Sequence, residues 1–398
     1  MTTRTGAGRW RGVPRGFGLI EIMVGVVIGL IAVLVIYQVY TVAEGFKRNT
    51  TAAGEAQQNG LFSTFVLGME IGNGGAGMVA AAQDLASCSD PGALVPMPQR
   101  FAQSFRPIPI LVTDGGGNAN SDSFVVNYSM ATTLANSALF TGNAAPGATF
   151  PVQSPGGFHV GDMVVGISSP TTPGSPCASS KVTAVSAPDG NGIVTITQTP
   201  LFPAGGIDLF GSSVLLNMGP CNRAQKVRYS VNNGVLYSTP LIDTSAANCG
   251  KLADPLIPNP LASNIIVMKV EYGIDSDLDA KRLLDYWVQG ATGTPKGDWD
   301  PATLLTAPIT TVNQIKAIRI GIIVQSEQFD KNLAGFTGGD YVNGDYNWVL
   351  FDCAAADKTT CPGRLAGSVP ATVSPPGNWR FRKYETVIPL RNEIWNKT

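Results

Sequence analysis

The chain is 398 residues long, with 27 Lys and Arg residues against 28 Asp and Glu residues and a single His. A formal net charge of −1 argues against a general nucleic-acid-binding protein, which would carry a strongly basic surface. Charged residues make up only 14% of the chain, which also has 46 Gly and 28 Pro; this composition favours a loop-rich, β-rich exported protein over a helical enzyme.

The first predicted element is an apolar helix that begins at Phe17. The stretch from Phe17 to Tyr37 is 21 residues long, and Glu21 is its only ionisable side chain before Tyr37. A helix rises about 1.5 Å per residue, so this stretch can span the roughly 30 Å hydrocarbon core of a bilayer. A carboxylate in such a helix is costly in lipid and indicates a functional site that has a partner.

The residues ahead of this helix form a basic leader with four arginines and no acidic residue: Arg4, Arg9, Arg11 and Arg15. Basic residues beside a membrane helix favour the cytoplasmic side. The leader therefore predicts that the bulk of the chain lies on the opposite side of the membrane.

The segment Gly-Phe-Gly-Leu-Ile-Glu, residues 16–21, resembles the class III signal of type IV prepilins and pseudopilins. The resemblance implies that a prepilin peptidase cuts between Gly16 and Phe17 and that Phe17 becomes the N-methylated N-terminus. Glu21 is then the fifth residue of the mature chain. The sequence departs from the family pattern at Gly18, where Thr or Ser usually stands.

Cleavage at this point would give Glu21 a counter-charge. The α-ammonium of Phe17 would lie one helical turn before Glu21, and a buried carboxylate without a partner costs several kcal/mol. In a bundle of such helices, the ammonium of an incoming subunit can neutralise Glu21 of its neighbour. This pairing would set the axial register of one subunit against the next.

The second half of the helix carries apolar residues at the spacing i, i+3, i+4, i+7: Phe62, Phe65, Val66 and Met69. We expect this face to pack against the globular head. The glycine-rich residues 72–75 predict the end of the helix.

Beyond the helix, short β-branched runs separated by Gly, Pro and Asn predict antiparallel strands. The clearest are 123–128, 160–167, 181–186, 192–197, 213–218, 226–231, 234–238, 265–274 and 383–390, with a hairpin turn at Asn232 and Asn233. The predicted fold class is α+β: a long N-terminal helix, transmembrane in its first half and amphipathic in its second, packed on a large antiparallel β-rich head.

Four further segments resemble PilW-type minor pilins: QQNGLFSTFVLGMEI at 57–71, VEYGIDSDLD at 270–279, VNQIKAIRIGIIVQSE at 312–327 and YETVIPLRNEIW at 384–395. The resemblance implies a pilin-like fold and a minor pilin that takes part in the assembly or initiation of a type IV pilus, in the service of motility, adhesion or DNA uptake. The implied division is a cleaved leader at 1–16, a helix at 17–71 and a periplasmic head at 72–398 with one or two subdomains.

The implied partners are other minor pilins, the major pilin, prepilin peptidase, the inner-membrane assembly platform and membrane lipid. The implied location is the inner membrane, by a single span, and after assembly the pilus fibre or its tip. Two alternatives stay open: a pseudopilin of a type II secretion system, which shares the same N-terminal machinery, and a membrane-anchored binding module without a filament role.

The six cysteines are even in number and are predicted to lie outside the cytoplasm, which favours disulfides. Six cysteines allow 15 pairings. The predicted pairs are Cys353 with Cys361, which would close a short loop, and Cys221 with Cys249.

One loop carries a candidate cation site. Asp275, Asp277 and Asp279 alternate after a predicted strand, and their carboxylates could converge on Ca²⁺. A full EF-hand loop would have Gly in place of Ala280 and Glu in place of Tyr286, so the alternative is a solvated acidic turn. We predict no other cofactor.

The sequence shows no constellation typical of an enzyme. His159 is the single His, so any Ser-His-Asp or Cys-His system would need it, and it stands beside a strand without a nucleophile motif. Asp298 and Asp300 flank Trp299 in a segment typical of a turn. We therefore predict a structural protein.

Overall fold

The computed structural model describes residues 16, 18–76, 88–89, 108–117, 120–128, 137–153, 157–168, 175–202, 205–220, 226–241, 243, 256–277, 284–307, 309–327, 340–342, 345–351, 365–368, 379 and 381–390. Within them the chain divides into two compact units, Met1–Ala53 and Gly54–Thr398. The two units are described separately.

Helix α1 spans Leu19–Gly72, 54 residues. It begins two residues later and ends one residue later than predicted. The chain leaves the helix through a turn in which Gly74 N–H bonds to Ile71 O at 2.9 Å, and Gly75 has φ +74°. A left-handed residue is the usual way to end a helix, and glycine adopts that conformation without a steric penalty.

The first unit contains the apolar half of α1. Its large apolar side chains from Leu19 to Phe46 are all exposed, and the span is long and apolar enough to cross a membrane. A helix that is apolar on every side is stable only when lipid or other protein covers it.

In the residues that the structure describes, the second unit contains the rest of α1, two short helices and 19 strands. The helices are α2 (Pro301–Thr306) and α3 (Ile309–Val312). The strands are β1 (Cys88–Ser89), β2 (Ile110–Thr113), β3 (Ser123–Asn127), β4 (Ser137–Phe140), β5 (Phe150–Gln153), β6 (Asp162–Ile167), β7 (Ser175–Val185), β8 (Ile193–Phe202), β9 (Val214–Pro220), β10 (Lys226–Asn232), β11 (Val235–Pro240), β12 (Asn259–Ser263), β13 (Ile265–Ile274), β14 (Tyr286–Gln289), β15 (Ile315–Gln325), β16 (Asp340–Val342), β17 (Asp345–Leu350), β18 (Leu365–Ser368) and β19 (Phe381–Pro389).

Three antiparallel sheets form one part of this unit. The first has the order β12-β11-β10-β3-β2, the second β14-β13-β15-β19 and the third β16-β17-β18. Together with α1, they give the predicted α+β architecture of a helix on an antiparallel β-rich head, and this prediction is confirmed.

Strands β4 to β9 form a separate closed barrel. Their order is β7-β6-β9-β4-β5-β8, and β8 pairs back with β7, so every strand has two neighbours. All pairings within this ring are antiparallel. The short strand β1 adds to β7 in the parallel direction. We call residues 137–220 the barrel.

The main core lies between α1 and the first two sheets. Leu67 and Ile71 of the helix are fully buried there with Ile110 of β2 and Tyr272 of β13. The buried face of the helix runs through Ala56, Gly60, Ser63, Leu67 and Ile71, which recur every three to four residues.

Gly60 shows why small residues lie on this face. A Cβ at Gly60 would lie 2.1 Å from the Tyr384 ring of β19, so only glycine lets the helix approach this strand. Nearby, Asn59 donates to Ser263 O at 3.2 Å. The close approach therefore depends on the absence of a side chain.

The prediction that the apolar face of this helix packs against the head is wrong. Phe62, Phe65 and Met69 are 48%, 65% and 51% exposed, and Val66 is half-buried. The buried face is built partly from Gly, Ala and Ser, so the apolar periodicity of the sequence follows the opposite, exposed side.

The hairpin between β10 and β11 also differs from the prediction. Asn232 pairs with Val235, so the turn residues are Asn233 and Gly234, with φ +48° and +75°. Two positive φ values are typical of a type I′ turn, for which Asn-Gly is the preferred pair.

Candidate functional site

The N-terminal site predicted from the sequence begins at the start of α1. Gly16 and Gly18 are exposed, and Phe17 lies outside the described residues. Gly18 O accepts the first helical hydrogen bonds, from Glu21 N at 2.9 Å and Ile22 N at 3.2 Å. A Cβ at Gly18 would meet nothing within 4 Å, so the departure from Thr or Ser has no steric cause in this chain.

Glu21 lies in the first turn of α1 and is exposed among exposed apolar side chains. Leu19, Ile20 and Ile22 are 79%, 76% and 57% exposed around it. A surface of this kind is costly in water, and a carboxylate in lipid is costly without a counter-charge. The arrangement therefore favours an apolar cover over the helix and a positive group close to Glu21.

A second exposed apolar surface lies on the part of α1 that belongs to the second unit. We call it the helix stripe; its members are Leu61, Phe62, Phe65 and Met69, 48–65% exposed. They recur at helical spacing on the side of α1 that faces away from the main core. Clustered exposed apolar groups of this kind mark interaction surfaces.

The predicted disulfides fall mostly on residues that the structure does not describe. Cys221, Cys249, Cys353 and Cys361 all lie outside the described residues, so both predicted pairs stay predictions. Cys177, in β7 of the barrel, is disulfide-bonded.

The acidic loop is only partly as predicted. Asp275 and Asp277 approach Asp285, with one ligand atom of each within 4.8 Å of the others, and Asp279 lies outside the described residues. Asp285 joins because the β13–β14 hairpin pairs Ile274 with Tyr286. Sequence reasoning missed Asp285, since only the strand register brings it to the loop.

The hydrogen bonds of Asp285 bear on this site. Its Oδ2 accepts from Ser276 N at 2.7 Å and from Ser276 Oγ at 2.5 Å. These bonds hold the pKa of Asp285 below its usual range. An ionised carboxylate suits Ca²⁺, which stays a prediction; heat in a calorimetric Ca²⁺ titration that disappears in Asp277→Asn would support it, and no heat would contradict it.

The acids considered for catalysis have structural contacts. Asp300 caps α2 by accepting from Ala302 N at 3.0 Å and Thr303 N at 3.3 Å, and its pKa is lowered, chiefly by the hydrogen bond from Thr303 Oγ1. Asp298 Oδ1 accepts from Gly293 N in the neighbouring turn. His159 is exposed, with Nδ1 3.7 Å from Asp162 Oδ2. Asp300 and Asp298 thus each hold a turn or helix end in place.

A buried charged cluster joins the first two sheets, and sequence reasoning did not single it out. Lys269 of β13 donates from Nζ to Asp122 Oδ1 and to Gly117 O, both at 2.9 Å, and lies 3.8 Å from Asp114 Oδ1. Asp122 Oδ2 accepts from Val270 N at 2.8 Å. Asp122 therefore bonds to the part of β13 that extends past β14.

A second buried pair lies two residues along the same strand. Glu271 faces Arg319 of β15 across the ladder and accepts from its guanidinium, which also lies 4.6 Å from the Trp287 ring centroid and 4.3 Å from that of Phe351. Burial raises the pKa of Asp122 to about 6 and that of Glu271 to about 7, against the opposing effect of their cationic partners. Both carboxylates have their counter-charge within the chain.

Comparison with known proteins bears on the same regions. A family model described as "Type IV Pilus-assembly protein W" matches residues 228–392, and one described as "Prokaryotic N-terminal methylation motif" matches residues 14–37. No curated protein matches the chain. A solved type IV-like pilin from Thermus thermophilus is similar at 12% identity, over 42% of this chain and 65% of that chain, with a TM-score of 0.22. The chain thus covers less than two thirds of that structure.

The two family matches fall on the two segments with the most specific features. One contains Gly16, Phe17 and Glu21 and the exposed apolar half of α1. The other begins in β10 and takes in the second sheet, with Lys269 and the buried pair of Glu271 and Arg319. In these two segments the chain is similar to PilW-like type IV pilins.

Proposed function

We propose that this pilin is a minor pilin that takes part in the assembly or initiation of a type IV pilus. The observation that carries the proposal is the exposed apolar half of α1 with Glu21 in its first turn. Prepilin peptidase would cut between Gly16 and Phe17 and methylate Phe17. Before assembly, the processed helix would span the inner membrane, with the head in the periplasm.

Glu21 would act through charge pairing between subunits. An exposed carboxylate on a lipid-covered helix has no counter-charge, and the new α-ammonium of Phe17 on an adjoining subunit supplies one. The strength of such a pair in a medium of low dielectric makes the axial position of the incoming subunit specific.

The helix stripe supports the same proposal from the second unit. Its four side chains are apolar, lie on one side of α1 and point away from the core of their own head. Aromatic and Met side chains are enriched at protein–protein interfaces. The stripe would contact the helix or head of another minor pilin or of the major pilin.

The PilW match favours a pilus over a type II secretion system. The contacts of Asp298, Asp300 and His159 favour a structural role over catalysis. The proposed partners are therefore other pilins, prepilin peptidase and the inner-membrane assembly platform.

Two glycine variants test the proposal with a built-in control. Gly16→Val places a branched side chain at the proposed cleavage site, and Gly18→Ser restores the family residue two positions later in equally open surroundings. We expect Gly16→Val to remain full-length in the membrane and to be absent from sheared pili, while Gly18→Ser is processed and incorporated normally. Processing and incorporation of both variants would contradict the proposal.

A further inference from the structure

The barrel is inserted between two strands that are neighbours in the first sheet. β3 ends at Asn127 and β10 begins at Lys226, and these two residues are directly paired in the β3–β10 ladder. The chain therefore leaves the sheet, forms all six barrel strands and returns to the position opposite its departure. A two-residue hairpin turn would make the same connection.

The barrel has a hydrophobic core of its own. Val164, Val182, Ile196 and Leu215 are fully buried in it, and its buried members belong to residues 138–215. The main core draws its members from α1 and from residues on either side of the insertion. Two cores with no shared residue indicate two units of packing.

The contacts of the barrel strands are also internal. Among the described residues, the most extensive strand contact between the barrel and the rest of the chain is the pairing of β1 with β7. The disulfide of Cys177 is a further link, because residues 137–220 contain no other cysteine. Because the ring of strands is closed, the barrel exposes almost no unpaired edge that would need another sheet to cover it.

The barrel end that carries its longer loops is held together by hydrogen bonds. Ala144 and Leu209 exchange two backbone bonds at 2.8 and 2.9 Å, and Ser213 Oγ donates to Ser168 O at 2.6 Å. These bonds join the β4–β5, β6–β7 and β8–β9 connections. The barrel is therefore closed at this end by its own residues.

The family matches pass over the insertion. They cover residues 14–37 and 228–392, so the whole barrel lies between them. The segments that resemble other pilins thus contain the apolar helix and most of the three sheets, without any barrel strand.

We propose that residues 129–225 form an accessory module that folds around its own core and is dispensable for assembly of this pilin; Tyr128, which packs against the main core and donates to Glu70 of α1, stays with the head. The helix and the three sheets make a complete pilin without it, and the module serves a role other than building the fibre. The assembly part of this inference rests on the proposed function, whereas the folding part does not.

An excision variant tests the inference. Residues 129–225, which contain Cys177 and Cys221, are replaced by Asn-Gly. Cys249, the predicted partner of Cys221, and Cys88, which lies in the β1 strand that pairs with β7, are changed to Ser to keep unpaired thiols out of the product. We expect a cooperative thermal transition for the shortened head and incorporation into sheared pili within about twofold of the wild-type level. A head that folds but is not incorporated would overturn the inference.

A matched pair of core variants in the full chain decides the case if the excised protein does not accumulate. Ile196→Asp buries a charge in the barrel core, and Ile320→Asp buries one in the main core; the two isoleucines are 0% and 1% exposed. We expect Ile196→Asp to make only residues 129–225 sensitive to limited proteolysis while pilus incorporation persists. We expect Ile320→Asp to make the rest of the head sensitive to proteolysis and to abolish incorporation into pili.

Proteolysis of the whole head in Ile196→Asp, or loss of its incorporation, would overturn the inference. If wild-type protein itself is absent from pili, the proposed function fails. The proteolysis pattern of the two variants then still decides whether the barrel is a separate folding unit.

Discussion

The apolar half of α1 and the junction of the two sheets both place carboxylates in apolar surroundings, but they neutralise them differently. At the junction, Asp122 and Glu271 are buried with Lys269 and Arg319 of the same chain. On the described part of the helix, Glu21 is exposed among exposed apolar side chains. The charges at the junction are paired within the chain, whereas under the proposed function Glu21 pairs with a second subunit.

Apolar side chains show the same difference within one helix. Leu67 is fully buried in the main core, and Leu61, less than two turns earlier, is 54% exposed in the helix stripe. Burial of the first stabilises the head, and burial of the second would stabilise an assembly. Four predictions test this comparison.

The largest effect is expected at Glu21. Glu21→Gln keeps the size of the side chain and removes its charge, so the ammonium of the adjoining subunit loses its partner and pilus incorporation falls by about tenfold or more. Glu44→Gln is the control, since Glu44 lies on the same helix and pairs with Arg48 of its own chain at 3.0 Å. Quantitative immunoblots of sheared pili measure both, and equal incorporation of the two variants would count against the pairing.

Loss of a buried counter-charge should come next. Lys269→Met leaves Asp122 buried without its cation, and we expect the free energy of unfolding to fall by about 3–5 kcal/mol. Lys383→Met removes the cation of a partly exposed pair with Glu385 and should cost less than about 1 kcal/mol. Chemical denaturation measures the free energy of unfolding of both variants. Similar losses in the two variants would contradict the prediction.

The two leucines of α1 should separate stability from assembly. Leu67→Ala removes a fully buried side chain and should lower the free energy of unfolding by about 2–5 kcal/mol. Leu61→Ala should change it by less than about 0.5 kcal/mol and should instead reduce incorporation into pili. A large loss of head stability in Leu61→Ala would show that the stripe is part of the head's own packing.

The smallest effect is expected in the pH dependence of stability. The pKa of Asp122 is raised by burial to about 6, so the protonated acid is favoured in the folded state. Its contribution to stability is present below pH about 4 and is lost as pH rises through about 6, by on the order of 2 kcal/mol.

Glu271 should act in the same direction up to pH about 7. In Asp122→Asn, the fall in the free energy of unfolding between pH 4 and 7 should be smaller than in the wild type. Denaturant titrations at several pH values measure the free energy of unfolding. If it falls with pH as steeply in the variant as in the wild type, the raised pKa of Asp122 is contradicted.

The sequence alone predicted those elements that depend on residues close together in the chain. The apolar run after Phe17, the acid at Glu21 and the glycine-rich helix end predicted α1 to within two residues. Long β-branched runs such as Ile265–Ile274 predicted their strands for the same reason.

The rest depends on pairing between distant segments. Gly60 lies on the buried face of α1 because Tyr384 packs directly against it. The spacing of apolar residues in the sequence does not indicate this face. Asp285 joins the acidic loop only through the β13–β14 register, and Lys269 meets Asp122 only through the junction of two sheets. Closure of the barrel likewise follows from the pairing of β7 with β8, which strand patterns do not specify.

The central claim of the proposed function is that the chain is cleaved before Phe17 so that its helix can pair with another subunit. Intact mass spectrometry of the protein from sheared pili measures this most directly. The account predicts a chain that begins with N-methylated Phe17. A chain that still begins at Met1 in the fibre would contradict it.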